Sequence, residues 1–189
     1  MPRARLANTM QRYGFVAIAL HWIMAVLILA LLGLGLYMVT LPDVGFDKDK
    51  ITLILYHKEL GVLALVLVAL RFAWRLGNRV PQLVENLPEW QKVAARFVHL
   101  CFYGLLFALP ITGLLMSSAA AIPVSFFGWF QLPDFVSQSE PLFQLFIAIH
   151  KWLGYALIAF VCVHVGAALR HHLFLKDDTL RKILPGDIP

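Results

Sequence analysis

Four long apolar stretches constrain this chain more than any other feature of its sequence. A helix needs about 20 mostly apolar residues to cross the hydrocarbon core of a bilayer, and each stretch reaches that length. The alternating pattern of membrane β-barrel strands is absent, so helices are the form in which these stretches satisfy their backbone groups. The sequence therefore predicts an all-α, integral membrane four-helix bundle that forms one domain over residues 1–189. The predicted spans are about 15–39, 51–76, 97–116 and 142–169.

Composition supports a membrane environment, with lipid as the surrounding partner. Apolar residues make up 60% of the chain and charged residues 14%, whereas soluble domains carry about 25% charged residues. A soluble chain this short cannot hide so much apolar surface. The two cysteines exclude a disulfide-stabilised scaffold.

Basic residues are distributed unequally between the two ends of the predicted bundle. Twelve of the sixteen lysines and arginines lie at the termini, in the connection between the second and third spans, or in the end of the second span that leads into it. The positive-inside rule then predicts that both termini lie in the cytoplasm. Topology explains the net charge of +5, so no nucleic-acid partner is expected. The twelve residues are Arg3, Arg5, Arg12, Arg71, Arg75, Arg79, Lys92, Arg96, Arg170, Lys176, Arg181 and Lys182.

The segment 117–141 is the longest connection and carries an aromatic run, Phe126, Phe127, Trp129 and Phe130. Aromatic side chains favour the membrane interface. The segment is therefore either a flap on the outer surface or a plain connecting loop.

Five histidines fall within the predicted spans, where ionisable side chains are costly and usually functional. Helix rise places His21 and His164 roughly 12 Å and 9 Å from the inner ends of their helices. It places His57 and His150 roughly 9 Å and 14 Å from the outer ends. Four of the histidines therefore form an inner pair and an outer pair. The fifth, His99, lies near the inner level and could replace either inner residue.

The fourth span supplies one histidine to each pair. His150 and His164 are 14 residues apart, which is close to four helical turns, so both rings project to nearly the same face. Two flat cofactors could bind there, each between two imidazoles. Haem iron accepts two axial imidazoles, whereas zinc requires three or four ligands at one level.

A glycine follows two of these histidines by one turn, in the near-repeats His57 to Gly61 and His150 to Gly154. The absence of a side chain leaves room for a macrocycle. The alternative is the small-residue packing that is common between membrane helices.

Four basic residues are candidates to bind the acidic groups of such cofactors. Arg71 and Arg75 share one helix face at the inner level. Lys58 and Lys151 each follow an outer histidine. The alternative role for all four is topology or snorkelling to the headgroups.

Several motifs together resemble the prokaryotic cytochrome b561 family. They include Arg12-Tyr13-Gly14 followed by Leu20-His21-Trp22, and the segments 57–61, 71–75 and 107–113. The segment 150–155, the dipeptide Val163-His164, and Arg170-His171-His172 followed by 176–180 match as well. The resemblance covers about residues 12–185.

This resemblance implies a di-haem b cytochrome of a bacterial inner membrane. The family ligand positions match His21 with His164 on the inner side and His57 with His150 on the outer side. One member moves electrons from superoxide to ubiquinone. The resemblance therefore implies electron transfer from a periplasmic donor, superoxide or another, to membrane quinone. Arg170, His171 and His172 would bind the quinone or relay its protons, or else form a basic membrane-surface collar.

Two alternative functions are compatible with the sequence. The first is a haem-bearing membrane anchor subunit of a larger dehydrogenase or hydrogenase, which should purify with a soluble partner. The second is a small transporter or assembly factor with structural histidines, which should purify without haem.

Overall fold

The computed structural model describes residues 6–41, 48–84 and 87–185, and in them the chain forms four long helices. Two of the basic residues used to predict the topology, Arg3 and Arg5, lie outside the described residues. Helices α1 to α4 are all long and apolar enough to span a bilayer. They cover Phe15–Thr40, Lys48–Gly77, Glu89–Ala119 and Glu140–Arg170.

The prediction of four membrane-spanning helices is confirmed, with one large difference at a helix boundary. Helix α3 begins at Glu89, whereas the apolar stretch begins at about Phe97. Its first two turns carry polar and charged side chains such as Gln91 and Lys92. Hydropathy detects only the part of a helix that lies in hydrocarbon, so the polar extension was missed.

Helices that are consecutive in the sequence pack side by side: α1 on α2, α2 on α3, and α3 on α4. The central core contains one buried residue from each helix: Met24, Val68, Leu106 and Leu157. Many large apolar side chains on the opposite faces are exposed, including Val26, Leu70 and Val163. These faces are suited to contact with lipid tails, because exposed apolar surface of this extent is unfavourable in water.

The N-terminal segment, the α2–α3 connection and the C-terminal segment meet at one end of the bundle, which we call the terminal face. Trp22 Nε1 donates to the carbonyl of Ile183, and Lys182 Nζ donates to the carbonyl of Gln82. Gly14, before α1, lies so close to the preceding chain that a Cβ there would collide with the carbonyl oxygen of Leu6. The Arg-Tyr-Gly motif thus marks a tight turn.

The opposite end, which we call the hairpin face, carries a short β-hairpin between α3 and α4. Strands β1 and β2, Ser125–Phe126 and Phe130–Gln131, pair antiparallel. Phe127 and Gly128 both have positive φ, as in a type I′ turn. β1 contacts α2, so segment 117–141 is not a plain connecting loop. Trp129 is 81% exposed at the tip, as an aromatic residue at a membrane interface would be.

Candidate cofactor sites

The hairpin-face pair consists of His57 on α2 and His150 on α4. Their ring centres are 6.3 Å apart and the ring planes are at 76°. Both histidines line a cavity that Pro110 of α3 and Val124 of the segment before β1 also line. Val124 is only 6% exposed, so the segment leading into the hairpin forms part of the wall of this cavity.

Helix α3 fixes the orientation of the His150 ring. The Nδ1–H of His150 lies 3.1 Å from the carbonyl oxygen of Leu109, which accepts its hydrogen bond. The hydroxyl of Thr112 also donates to this carbonyl, and its oxygen lies 3.1 Å from the same Nδ1. With the proton held on Nδ1, the Nε2 lone pair is available to a metal, as in most metal-binding histidines.

Glycines keep the surroundings of the hairpin-face pair open. Gly61 lines the cavity, and a Cβ built on it would meet nothing within 4 Å. A Cβ on Gly154 would also meet nothing within 4 Å, but Gly154 is not among the residues that line the cavity. Two further glycines approach the rings directly: a Cβ on Gly35 would lie 3.4 Å from His57 Cε1, and one on Gly113 would lie 3.5 Å from His150 Cε1. Neither contact was predicted, although Gly113 ends the family motif 107–113, because neither glycine is near a histidine in the sequence.

Three buried polar atoms that line this cavity have no hydrogen-bond partner among the described residues: His57 Nδ1, Lys58 Nζ and Ser117 Oγ. Polar groups this deep are normally satisfied, so the cavity has the character of a binding site. Lys151, the other predicted basic residue, is exposed and is not among the residues that line the cavity. The structure thus separates two lysines that the sequence treated alike.

The terminal-face pair consists of His21 on α1 and His164 on α4. Their ring centres are also 6.3 Å apart, with the planes at 60°. Trp22 packs edge-on against His21, and Phe102 of α3 packs against His164 at 5.3 Å. Helix α4 therefore contributes to both pairs, as the spacing of 14 residues predicted.

His99 and Arg71 complete the terminal-face cluster. The His99 ring centre lies 5.9 Å from that of His164, and its Nδ1–H donates to the carbonyl of Ala95 at 2.6 Å. Arg71 Nη2 lies 3.1 Å from His21 Nδ1. Arg75, one turn further along α2, lies over the ring of Tyr103 at 5.8 Å. Of the two arginines predicted to bind an acidic group, Arg71 is the one in contact with a histidine of the pair.

The C-terminal candidates lie where α4 continues as a π-turn over His171–Leu175. His171 Nδ1 pairs with Asp177 Oδ2 at 2.5 Å, and Asp177 Oδ1 accepts from the backbone N–H of Thr179 at 2.9 Å. Burial raises the pKa of Asp177, but the hydrogen bonds from Thr179 and His171 outweigh it, so the pKa is lowered overall. Arg170 is exposed and His172 is half-buried. The sequence placed Asp177 in the family motif 176–180 but did not predict its contact with His171.

The spacing of both pairs fits one iron between two imidazoles. A metal–imidazole bond is about 2.0–2.1 Å long, and the ring centre lies roughly 1 Å beyond the nitrogen. Two axial imidazoles therefore have centres roughly 6 Å apart, close to the 6.3 Å seen in both pairs. Both pairs thus have the spacing expected of imidazoles that hold a planar metal cofactor between transmembrane helices.

Comparison with known proteins identifies the family. The family profile described as prokaryotic cytochrome b561 matches residues 12–186. The chain therefore belongs to the prokaryotic cytochrome b561 family, as the sequence motifs predicted. Membership implies that the protein binds haem b and takes part in electron transfer as a multi-pass protein of a bacterial inner membrane.

Curated relatives match over nearly their whole length. Cytochrome b561 homolog 2 of Escherichia coli strain K12 is 35% identical over 179 residues, which cover 94% of this chain and 93% of that protein. Cytochrome b561 homolog 1 of the same organism is 32% identical, with 93% and 98% covered. A probable superoxide oxidase, CybB, of Yersinia pestis is 25% identical, with 93% and 97% covered.

Proposed function

We propose that the protein is a transmembrane electron carrier with two haems b, one held by His21 and His164 and one by His57 and His150. The equal 6.3 Å separation of both imidazole pairs is the observation that carries this proposal. Bound haem supplies reversible one-electron transfer. The chain would hold it by imidazoles from helices that are not consecutive in the sequence: α1 with α4 for one site, and α2 with α4 for the other.

Several side chains orient the ligands and separate the sites. The Leu109 carbonyl fixes His150, and the aromatic rings of Trp22 and Phe102 pack against His21 and His164. The buried layer that contains Val68 and Leu157 lies between the two levels and excludes water from the bundle centre. A dry, fixed environment of this kind tunes redox potential and limits side reactions.

We assign the terminal face to the cytoplasm, because most basic residues lie there. Electrons then enter at the hairpin face and leave at the terminal face. A membrane quinone, of the ubiquinone type, is the proposed acceptor. His171 is held by Asp177 through Nδ1, so its Nε2 can deliver a proton to the reduced quinone, with Arg170 and His172 beside it in the sequence.

Superoxide is the proposed donor, supported by the similarity to a probable superoxide oxidase. Two superoxide anions release two electrons and two dioxygen molecules, and one quinone takes up two electrons and two protons to give the quinol. The protons come from the terminal face, which is where His171 lies.

The purified protein tests this proposal directly. We expect two haems per chain by pyridine haemochrome analysis against protein concentration, and low-spin ferric spectra because both irons have two imidazole ligands. A ratio near one, or a high-spin ferric spectrum, would contradict it. Stopped-flow mixing with superoxide then tests the donor separately; if haem is not reduced, only the donor assignment fails.

A further inference from the structure

The cavity beside the hairpin-face pair is lined by polar groups in addition to the two histidines that would bind iron. Lys58 Nζ and Ser117 Oγ are buried there without partners among the residues that the structure describes. Ser117 is only 2% exposed, although it lies in the last turn of α3. The two groups come from different helices, α2 and α3, and line one space.

Burial of an ammonium and a hydroxyl without partners is unfavourable, and an anionic oxygen group would satisfy both at once. An ammonium offers three donors and a hydroxyl offers one more. Charge-assisted hydrogen bonds to a carboxylate are among the strongest available in a protein. The donors therefore match a carboxylate better than they match a neutral ligand.

The neighbouring residue shows that this arrangement is specific to Ser117. Ser118 is also buried, but its hydroxyl donates to the carbonyl of Leu114 at 3.1 Å and accepts from the N–H of Phe135 at 3.2 Å. Ser118 thus has a structural role that is complete. Ser117 has a free hydroxyl that faces the same cavity as Lys58.

We propose that Lys58 and Ser117 form an anion site that binds an anionic oxygen group beside His57 and His150, with a propionate of the haem as its occupant. This inference rests on the proposed haem at that level. Lys58 and Ser117 then act as positioning residues, which set the orientation of the haem and the potential of its iron. A small anion from the hairpin face is the other source of the same chemistry.

The midpoint potentials of the two haems test the proposal. Lys58→Met removes a positive charge near the hairpin-face iron, so the potential of that haem should fall while the other stays unchanged. Ser117→Ala should lower the same potential by a smaller amount. Lys58→Arg and Ser117→Thr keep the charge and the hydroxyl, and should therefore keep the potential close to that of the unmodified protein. Ser118→Ala and Lys48→Met are the matched controls and should leave both potentials in place.

Reconstitution with haem dimethyl ester distinguishes the two sources of the anion. If a propionate occupies the site, the ester abolishes the shift caused by Ser117→Ala. If a free anion occupies it, the shift persists with the ester and responds to added formate. The anion site is overturned if Lys58→Met and Ser117→Ala change the potentials no more than their controls do.

Measuring the haem content distinguishes a failure of the anion site from a failure of the proposed function. Each variant is first analysed for two haems, and His57→Ala identifies the spectrum of the hairpin-face haem. The absence of a hairpin-face haem from the unmodified protein would overturn both proposals. A normal haem content with unshifted potentials would overturn only the anion site.

Discussion

His99 is the residue that spacing alone could not place, and its ring lies as near to His164 as the ring of His21 does. The surroundings of the two residues differ. α3 packs directly on α4, and Phe102, one turn after His99, fills this interface between His164 and Phe160. α1 packs on α2 rather than on α4, so the space between α1 and α4, which His21 and His164 span, is wider than the space between α3 and α4. A macrocycle between two imidazoles fits the space between α1 and α4 better.

Single-histidine variants test this assignment. We expect His57→Ala to lose the hairpin-face haem and His21→Ala to lose the terminal-face haem, each lowering the haem content from two to one per chain. His99→Ala should retain both, because its ring is fixed on the carbonyl of Ala95 within its own helix. If His99→Ala loses a haem while His21→Ala keeps two, the terminal-face ligand is His99.

Asp177 should make the stability of the folded protein depend on pH. Because its folded pKa is lowered, the contacts of its carboxylate stabilise the protein above its unfolded pKa of about 4 and are lost as pH falls through the folded pKa. Asp177→Asn should lower the Tm by roughly 2–4 °C at pH 7, corresponding to about 1 kcal/mol.

The difference should begin to shrink near the unfolded pKa of about 4 and should vanish only below the lowered pKa of Asp177, where the folded carboxylate is protonated. Differential scanning fluorimetry from pH 3 to pH 7 measures this. Asp178→Asn is the control, since Asp178 is exposed and its contact with Arg181 is a surface pair of small expected value. A Tm difference that is independent of pH would contradict the role of the carboxylate charge.

On helix α2, Gly61 leaves open space beside His57 because it has no side chain. Gly61→Ala should be tolerated, because a Cβ there meets open space. Gly61→Leu should fill the cavity and lower hairpin-face haem occupancy by at least half, while the terminal-face haem remains. Absorbance and haem content measure this.

Gly33→Leu is the matched control for this substitution. Gly33 is exposed on α1, where a Cβ also meets nothing within 4 Å. If both leucine variants retain two haems, the space beside Gly61 is not a macrocycle site.

Hydropathy and periodicity measure local properties of the sequence, so they predicted some of these elements and missed others. The four helices were predictable, and so was the position of His150 and His164 on one face of α4. Apolar length and a 14-residue spacing are both local properties of the sequence. The polar start of α3 and the packing of β1 on α2 were not predictable, because they depend on contacts outside the hydrocarbon or between distant segments. Gly35, Gly113 and Ser117 escaped notice for the same reason: each meets the site only through tertiary packing.

For the whole molecule, the proposed entry of an anionic donor depends on charge at the hairpin face. Lys151 is exposed and adjacent to His150. Loss of one charge roughly 8 Å from the encounter point costs about 0.5 kcal/mol in water, or about a twofold lower rate. Lys151→Gln should therefore slow haem reduction by superoxide about twofold at low salt, and the difference should shrink at physiological ionic strength, where the Debye length is about 8 Å.

Stopped-flow absorbance in nanodiscs measures this rate. Lys48→Gln is the matched control, since it removes the same charge from the same face but begins α2, nine residues before His57. A larger effect from Lys48→Gln, or an effect of Lys151→Gln that does not respond to salt, would rule out local attraction by Lys151.

Helix α4 supplies one histidine to each pair, and this has a consequence for biosynthesis. His21 and His57 are made early, but neither site has its second ligand until α4 has left the ribosome. The 93 residues from Lys58 to His150 take roughly 5–19 s to make at about 5–20 residues per second. On the proposed ligation, haem capture therefore follows translation, and the half-built protein must persist in the membrane with two unpaired imidazoles until its last helix is inserted.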